Sequence, residues 1–348
     1  MQVESRDDLI FKMPKVELHM HLDGSIKPET VLDLARITSI PLPVYERERL
    51  ISYLRVDDHC GSLREYLNKF DFILPFLQSA SALERTAYEA VEQTAEQNGR
   101  YVEVRFAPHL HTKMGLTLEE AIGSVVEGLK RGEQQFAVKA GAIVICMRHH
   151  SPELNRSVVE AAALFAGKGV AAVDLAGDEA AFPPEMFRNI FALAHKKGLP
   201  VTIHAGEAGG AGNVYEAVKH LGATRVGHGV RLKEDSAIFD YIQKRQVPLE
   251  MCPTSNIQTK AVPGWRVYPL REYFDRGLKV TVNTDNPSVS GTDLAREYRI
   301  LAEQFKFSSK ELAAIVLNGA DAAFLGETEK AQLKRQIKAE LSDLGIVV

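Results

Sequence analysis

Eight short apolar, β-rich runs recur along the chain, separated by segments whose apolar residues repeat every three or four positions. The runs are residues 16–21, 101–107, 138–146, 170–175, 200–204, 224–227, 247–252 and 279–284. They are near-continuous stretches of Val, Ile and Leu, the pattern of parallel strands covered on the outside by helices. Helix signals fill the gaps. Ser62-x-x-Glu65, Ser81-x-x-Glu84 and Thr117-x-x-Glu120 have the form of capping boxes. Ser151-Pro152 reads as an N-cap followed by proline at the first helical position. Gly99, Gly132, Gly198 and Gly277 each stand where a helix should end.

Strand followed by helix, eight times over, predicts an α/β fold, a (β/α)8 TIM barrel. The connection between Gly24 and Arg100 is much longer than the others. It is expected to hold extra helices inserted after the first strand, so that residues 1–348 form a single barrel domain. The tail from Ser308 to Val348 reads as further helices closing the barrel's bottom or side. Within the insertion, Leu63, Tyr66, Leu67 and Phe70 recur at i, i+3, i+4 and i+7, the stripe of an amphipathic helix. Core packing is the default use of such a stripe; the other is an apolar wall over the barrel mouth that keeps water from a reaction.

Composition narrows the partners. Of 348 residues, 45% are hydrophobic and 25% charged, as in soluble globular proteins. A net charge of −4 and the lack of a basic stripe argue against nucleic acid. Cys60, Cys146 and Cys252 are odd in number and far apart, and no C-x-x-C occurs, so neither a disulfide framework nor a cysteine zinc site is expected. The first eight residues hold no apolar signal core, and no run reaches the roughly 18 apolar residues of a membrane span. A cytoplasmic location, no membrane partner and a small-molecule substrate are the expectation; oligomeric state is left open.

In such barrels the chemistry sits at the C-terminal ends of the strands. The first run ends in His19-Met20-His21 and then Asp23, and alternation puts both imidazoles on one face. The fourth ends in Asp174-Leu175-Ala176-Gly177-Asp178-Glu179, the fifth in His204-Ala205-Gly206-Glu207, the sixth in Gly227-His228-Gly229 and the eighth in Asn283-Thr284-Asp285-Asn286. Four strand ends thus present four His, a Glu and an Asp toward one mouth. His59, His149, His150, His195 and His220 fall in predicted loops or helices and read as surface or structural; His109 and His111, after the second run, are the two that could border the mouth.

A catalytic zinc takes three or four N, O or S ligands and keeps a position open for water. His19, His21, His204 and Asp285 would supply such a set, and zinc lowers the pKa of its water from about 15.7 to about 7. His228 is then placed to orient or deprotonate that water. Glu207, three residues past a ligand, reaches the same centre, either as an acid with a raised pKa or as a partner of His204. A two-metal site would need a bridging group such as a carboxylated lysine, and the fourth strand end has no lysine; one ion per chain is favoured.

Taken together, these motifs resemble the adenosine deaminases of the amidohydrolase superfamily, from Pro14-Lys15-Val16-Glu17-Leu18-His19-Met20-His21-Leu22-Asp23-Gly24 to Asn283-Thr284-Asp285. The resemblance implies zinc on His19, His21, His204 and Asp285, with Asp285 also among the catalytic residues and His21 among those meeting substrate. It implies that Glu207 protonates N1 of the purine and that His228 positions the activated water. Gly177 matches the glycine whose N–H reaches N3, Asp23 the acid that holds a ribose hydroxyl, and Leu63, Tyr66, Leu67 and Phe70 the family's gate. Deamination of adenosine and 2′-deoxyadenosine is the implied reaction. Relatives acting on free adenine carry glutamate where this chain has Asp23, so a nucleoside is favoured over adenine; 6-amino-6-deoxyfutalosine is a further alternative. One departure is Asn286, where many members have a second Asp: its amide donates to N7 without having to be protonated first. The H-x-E with P-C-x-x-C pattern of cytidine deaminases is absent.

Overall fold

The computed structural model describes residues 6–57, 60 and 63–348, leaving the side chains of residues 63 and 64 aside. Eight parallel strands form its centre: β1 Lys15–His21, β2 Gly99–Phe106, β3 Lys139–Met147, β4 Val170–Ala176, β5 Thr202–Ala205, β6 Arg225–His228, β7 Leu249–Met251 and β8 Val280–Val282. Each lies within three residues of a run expected from the sequence. β1 to β4 pair side by side in one four-stranded sheet and β5 to β8 in another. Bridges between Met20 and Asp285 and between Val173 and Val201 close the two sheets into a (β/α)8 barrel.

Helix α1, Arg6–Lys12, precedes the barrel. The long first connection holds α2 Pro28–Thr38, α3 Arg47–Leu54 and α4 Leu63–Ile73 before α5 Ala80–Glu96 returns along β2. The outer ring continues through α6 Leu118–Gln135, α7 Pro152–Ala163, α8 Arg188–Lys196, α9 Ala211–Lys219 and α10 Ser236–Arg245. Short helices α11 Pro253–Gln258 and α12 Leu270–Asp275 lead to β8, and α13 Pro287–Ser290 and α14 Leu294–Gln304 follow it. α15, Ser309–Ala322, packs against both β8 and β1 and so closes the ring; α16, Glu327–Asp343, lies over it.

Several local expectations hold. Thr117 and Glu120 form a reciprocal capping box, and Ser151 caps α7 with Pro152 at its first position. Others change. The cap of α5 is Ser79, whose hydroxyl accepts from Ala82 N, and not Ser81; Ser62 lies outside the described residues. Gly132 is inside α6, not at its end, because a methyl there would come within 2.6 Å of Val91 Cβ. The absence of a side chain lets α5 and α6 approach closely. Gly99 opens β2, three residues after α5 has ended at Glu96 with Gln97 as its cap.

The larger correction concerns the strands. Val16, Leu18 and Met20 pack in the main apolar cluster, whereas Lys15, Glu17 and His19 between them are equally buried. The same alternation puts Glu103 and Arg105 between Val102, Val104 and Phe106. The apolar core therefore lies between sheet and helices, and the barrel interior is a belt of paired charges. Cys60, Cys146 and Cys252 are buried. No helix among the described residues is long and apolar enough to cross a membrane.

Candidate metal centre and active site

The belt prepares the strand ends. His19 Nδ1 lies 2.8 Å from Glu250 Oε2, and His204 Nδ1 lies 2.9 Å from Asp174 Oδ2. Each carboxylate takes the proton-bearing nitrogen of its ring and leaves Nε2 facing the centre with its lone pair. Arg105 joins the two carboxylates, donating to Asp174 at 2.8 Å and to Glu250 at 2.7 Å, and also to Leu18 O at 2.6 Å. Arg225 donates to the other Glu250 oxygen at 2.7 Å and to Glu103. Buried charges persist only when paired and hydrogen-bonded; these are paired, with Arg105 Nε left without a partner among the described residues. Burial alone would raise the Asp174 carboxyl; His204 and Arg105 outweigh it and hold it well below the usual range.

Above the belt the four expected ligands meet. His21 Nε2 is 3.3 Å from His204 Nε2 and 3.2 Å from Asp285 Oδ1, and His19 Nε2 is 3.5 Å from the same oxygen. His19 Nε2 is buried and has no hydrogen-bond partner among the described residues. Burial, with Arg105 beside it, pushes the His19 pKa down to about 4, and burial likewise lowers His21 well below its ordinary range. Both rings are thus neutral near pH 7 and offer lone pairs. Three imidazole nitrogens and a carboxylate oxygen, converging around one point, fit the donor set of zinc. The other Asp285 oxygen accepts from Ser255 Oγ at 2.6 Å.

Two non-glycine residues here have left-handed backbones, His228 at φ 63° and Asp285 at φ 63°. A methyl on Gly227 would face the His19 ring at 3.0 Å, so strict alternation would turn His228 away. The left-handed turn reverses that, and the His228 ring stands 4.8 Å from the His19 ring. Such a conformation costs on the order of 1–3 kcal/mol and persists where the surroundings impose it.

Glu207 is close by. Its Oε2 is 3.5 Å from His228 Nε2, and its Oε1 accepts from Asn256 Nδ2 and Thr259 Oγ1, each at 3.4 Å. It does not serve His204, whose Nδ1 is taken by Asp174. The loop carrying it is held by Glu179, whose carboxylate accepts from the backbone N–H of Gly206, Glu207, Ala208 and Gly209 at 2.7–3.0 Å.

Of the remaining expected residues, Asp23 and Asn286 adjoin the cluster. Asp23 is buried, and burial raises its pKa to about 6. A methyl on neighbouring Gly24 would lie 2.0 Å from Asn286 Oδ1, a buried oxygen without a hydrogen-bond partner among the described residues. Gly177 has φ 108°, open only to glycine, and faces the backbone of Arg148 and the ring of His149. His149 therefore borders the mouth despite its surface exposure, and His109, its ring tilted against His150 with centroids 4.1 Å apart, is buried rather than open to it. His111 is buried with Nδ1 2.8 Å from Leu77 O. The apolar stripe of α4 is divided. Tyr66 is buried with its hydroxyl 2.9 Å from Ser290 Oγ, Phe70 is half-buried, and Leu67 is 51% exposed. The Leu63 side chain lies outside the described residues.

Sequence reasoning passed over Arg105, Glu250, Ser255, Asn256 and any role for Asp174 and Glu179. For Arg105 and Glu250 a signal existed: a charge inside an otherwise apolar run.

Comparison with known proteins follows this geometry. The sequence model of the adenosine deaminase family matches residues 14–340. An adenosine deaminase of Clostridium botulinum (strain Okra / Type B1) is 42% identical over 328 residues, covering 94% of this chain and 98% of that protein. The crystal structure of an adenine deaminase from Arthrobacter aurescens superposes with a TM-score of 0.87 at 28% identity, over 95% of this chain and 99% of that one. An amidohydrolase from Burkhoderia ambifaria, solved with bound zinc, gives 0.88 at 24% identity over 99% and 97%.

Proposed function

This chain belongs to the adenosine deaminase family, and on that footing we propose that it hydrolyses adenosine and 2′-deoxyadenosine to inosine and deoxyinosine with release of ammonia. The observation that carries this reading is the approach of His19, His21 and His204 to one another and of Asp285 to His19 and His21, with His228 and Glu207 beside them. His19, His21, His204 and Asp285 would hold one divalent cation, zinc in this proposal. Such an ion supplies a Lewis acid and an acidified water.

The chain's own residues do the rest. The adenine ring takes up an oxygen at C6 only if its electron pair has somewhere to go. Glu207 gives a proton to N1, so that pair settles on the ring nitrogen and not as a bare charge. The 6-amino group then leaves as ammonia, taking the proton that the attacking oxygen gives up, and that oxygen stays on C6. His228 faces the attacking oxygen from the side of Glu207. Gly177 N–H serves N3, the Asn286 amide donates to N7, and Asp23 holds the ribose hydroxyl. Tyr66 and Phe70 on α4 shield the mouth from water, which strengthens every charge interaction within it.

Asp23 supports a nucleoside over free adenine. The test is ammonia release from a panel of adenosine, 2′-deoxyadenosine, adenine and 6-amino-6-deoxyfutalosine by metal-loaded protein. The proposal expects the two nucleosides to have the highest kcat/KM by at least about tenfold. A maximum at adenine or the futalosine compound reassigns the substrate; no ammonia from any of them ends the reading.

A further inference from the structure

Asn256 is fully buried at the centre of α11 and touches both groups assigned to proton handling. Its Nδ2 is 3.0 Å from His228 Nδ1 and 3.4 Å from Glu207 Oε1, and its Oδ1 accepts from Tyr268 OH at 3.0 Å.

These partners fix the amide's orientation. Glu207 Oε1 also accepts from Thr259 Oγ1, so it is an acceptor on two sides. It stays one when the carboxyl is protonated, provided the proton is on Oε2, the oxygen nearer His228. Turning the amide over would set Asn256 Oδ1 against that acceptor. Asn256 therefore presents its NH2 to His228 Nδ1, which must accept, and the single proton of a neutral His228 ring sits on Nε2.

We propose that Asn256 is a positioning residue for the deamination, holding His228 as the Nε2–H tautomer and tying it to Glu207 through one amide. This rests on the functional reading above. With no lone pair on Nε2, the neutral ring cannot take a proton from the attacking water. It donates a hydrogen bond to that oxygen instead, orienting it and stabilising the charge it gains. The choice between orienting and deprotonating that residue types alone left open falls to orienting. Tyr268, buried behind Asn256, keeps the amide from rotating.

The test uses full-length, metal-loaded protein labelled with 15N-histidine. Long-range 1H–15N correlation reads the tautomer of each ring, and a His228→Gln variant identifies the signals. Wild type should show His228 protonated on Nε2. Asn256→Asp places a carboxylate against Nδ1, which draws the proton there; the tautomer should invert. Metal content should match wild type, and kcat for adenosine should fall at least about 100-fold, in line with other enzymes whose histidine is held in the wrong tautomer. The dissociation constant of inosine should change much less. An Nδ1–H ring in wild type overturns the proposal, as does an inverted tautomer with unchanged kcat. Where Asn256→Asp fails to fold, the wild-type spectrum decides alone. Because the spectrum needs no substrate, its outcome is separate from whether wild type turns over adenosine.

Discussion

The Nε2 atoms of His21 and His204 lie 3.3 Å apart, although 183 positions separate them in the chain. With His204 Nδ1 tied to Asp174, its Nε2 faces that of His21 across the gap, an arrangement that suits a shared cation. Purified protein should therefore carry about one equivalent of divalent metal, measured by plasma mass spectrometry after dialysis. His204→Ala should lose most of it. Chelation should abolish ammonia release from adenosine, and added zinc should restore it.

Glu207 is held by Asn256 and Thr259 but ligates nothing in the His/Asp cluster. Glu207→Gln keeps the shape and removes the acid. Its kcat should drop about 10²- to 10⁴-fold, the usual weight of a positioned proton donor. Metal content and inosine affinity should stay within about threefold of wild type. Near-normal turnover would take the acid role away from Glu207.

Arg105 braces two ligand histidines at once through Asp174 and Glu250. Arg105→Gln leaves two buried carboxylates short of a cation. Breaking a buried pair costs on the order of 3–5 kcal/mol, read by urea denaturation. Looser orientation of the rings should also weaken metal binding about 10- to 100-fold in a chelator competition. Unchanged metal affinity would reduce Arg105 to a purely structural part.

Glu297 gives a pH signature away from the metal cluster. It is fully buried, accepting from Thr292 Oγ1 at 2.5 Å and Thr254 N at 3.3 Å. Burial outweighs those bonds and raises its pKa from 4.5 to about 7. The folded state therefore holds a proton that the unfolded state has lost across that window. Stability contributed by this group is complete below pH 4.5 and declines as pH rises through about 7, by an amount on the order of 3 kcal/mol. Glu297→Gln, which preserves both contacts, should flatten that slope in denaturation curves taken at pH 5 and 8.

The barrel was legible because parallel strands covered by helices need apolar residues, and Val102, Val144, Val173 and Ile203 announce them. His19 and His21 were legible because period two puts neighbours at i and i+2 on one side. What supports them was harder to see. Glu250 and Arg105 sit in different strands, and only the closed barrel shows that one guanidinium spans Asp174 and Glu250. Nor does strand periodicity explain why His228 points inward, since its left-handed backbone overrides alternation. Asn256 carries no mark at all; its importance comes from three partners 28, 49 and 12 positions away.

The two four-stranded sheets meet along seams that hold few strand-to-strand bonds, at Met20 with Asp285 and at Val173 with Val201. His19 and His21 belong to one sheet, while His204 and Asp285 come from the other. A cation gripped by all four would rivet the halves of the barrel together at their upper rim. Stripping it should thus lower the melting temperature, and the drop should grow with the free-metal concentration at which the loaded form is measured.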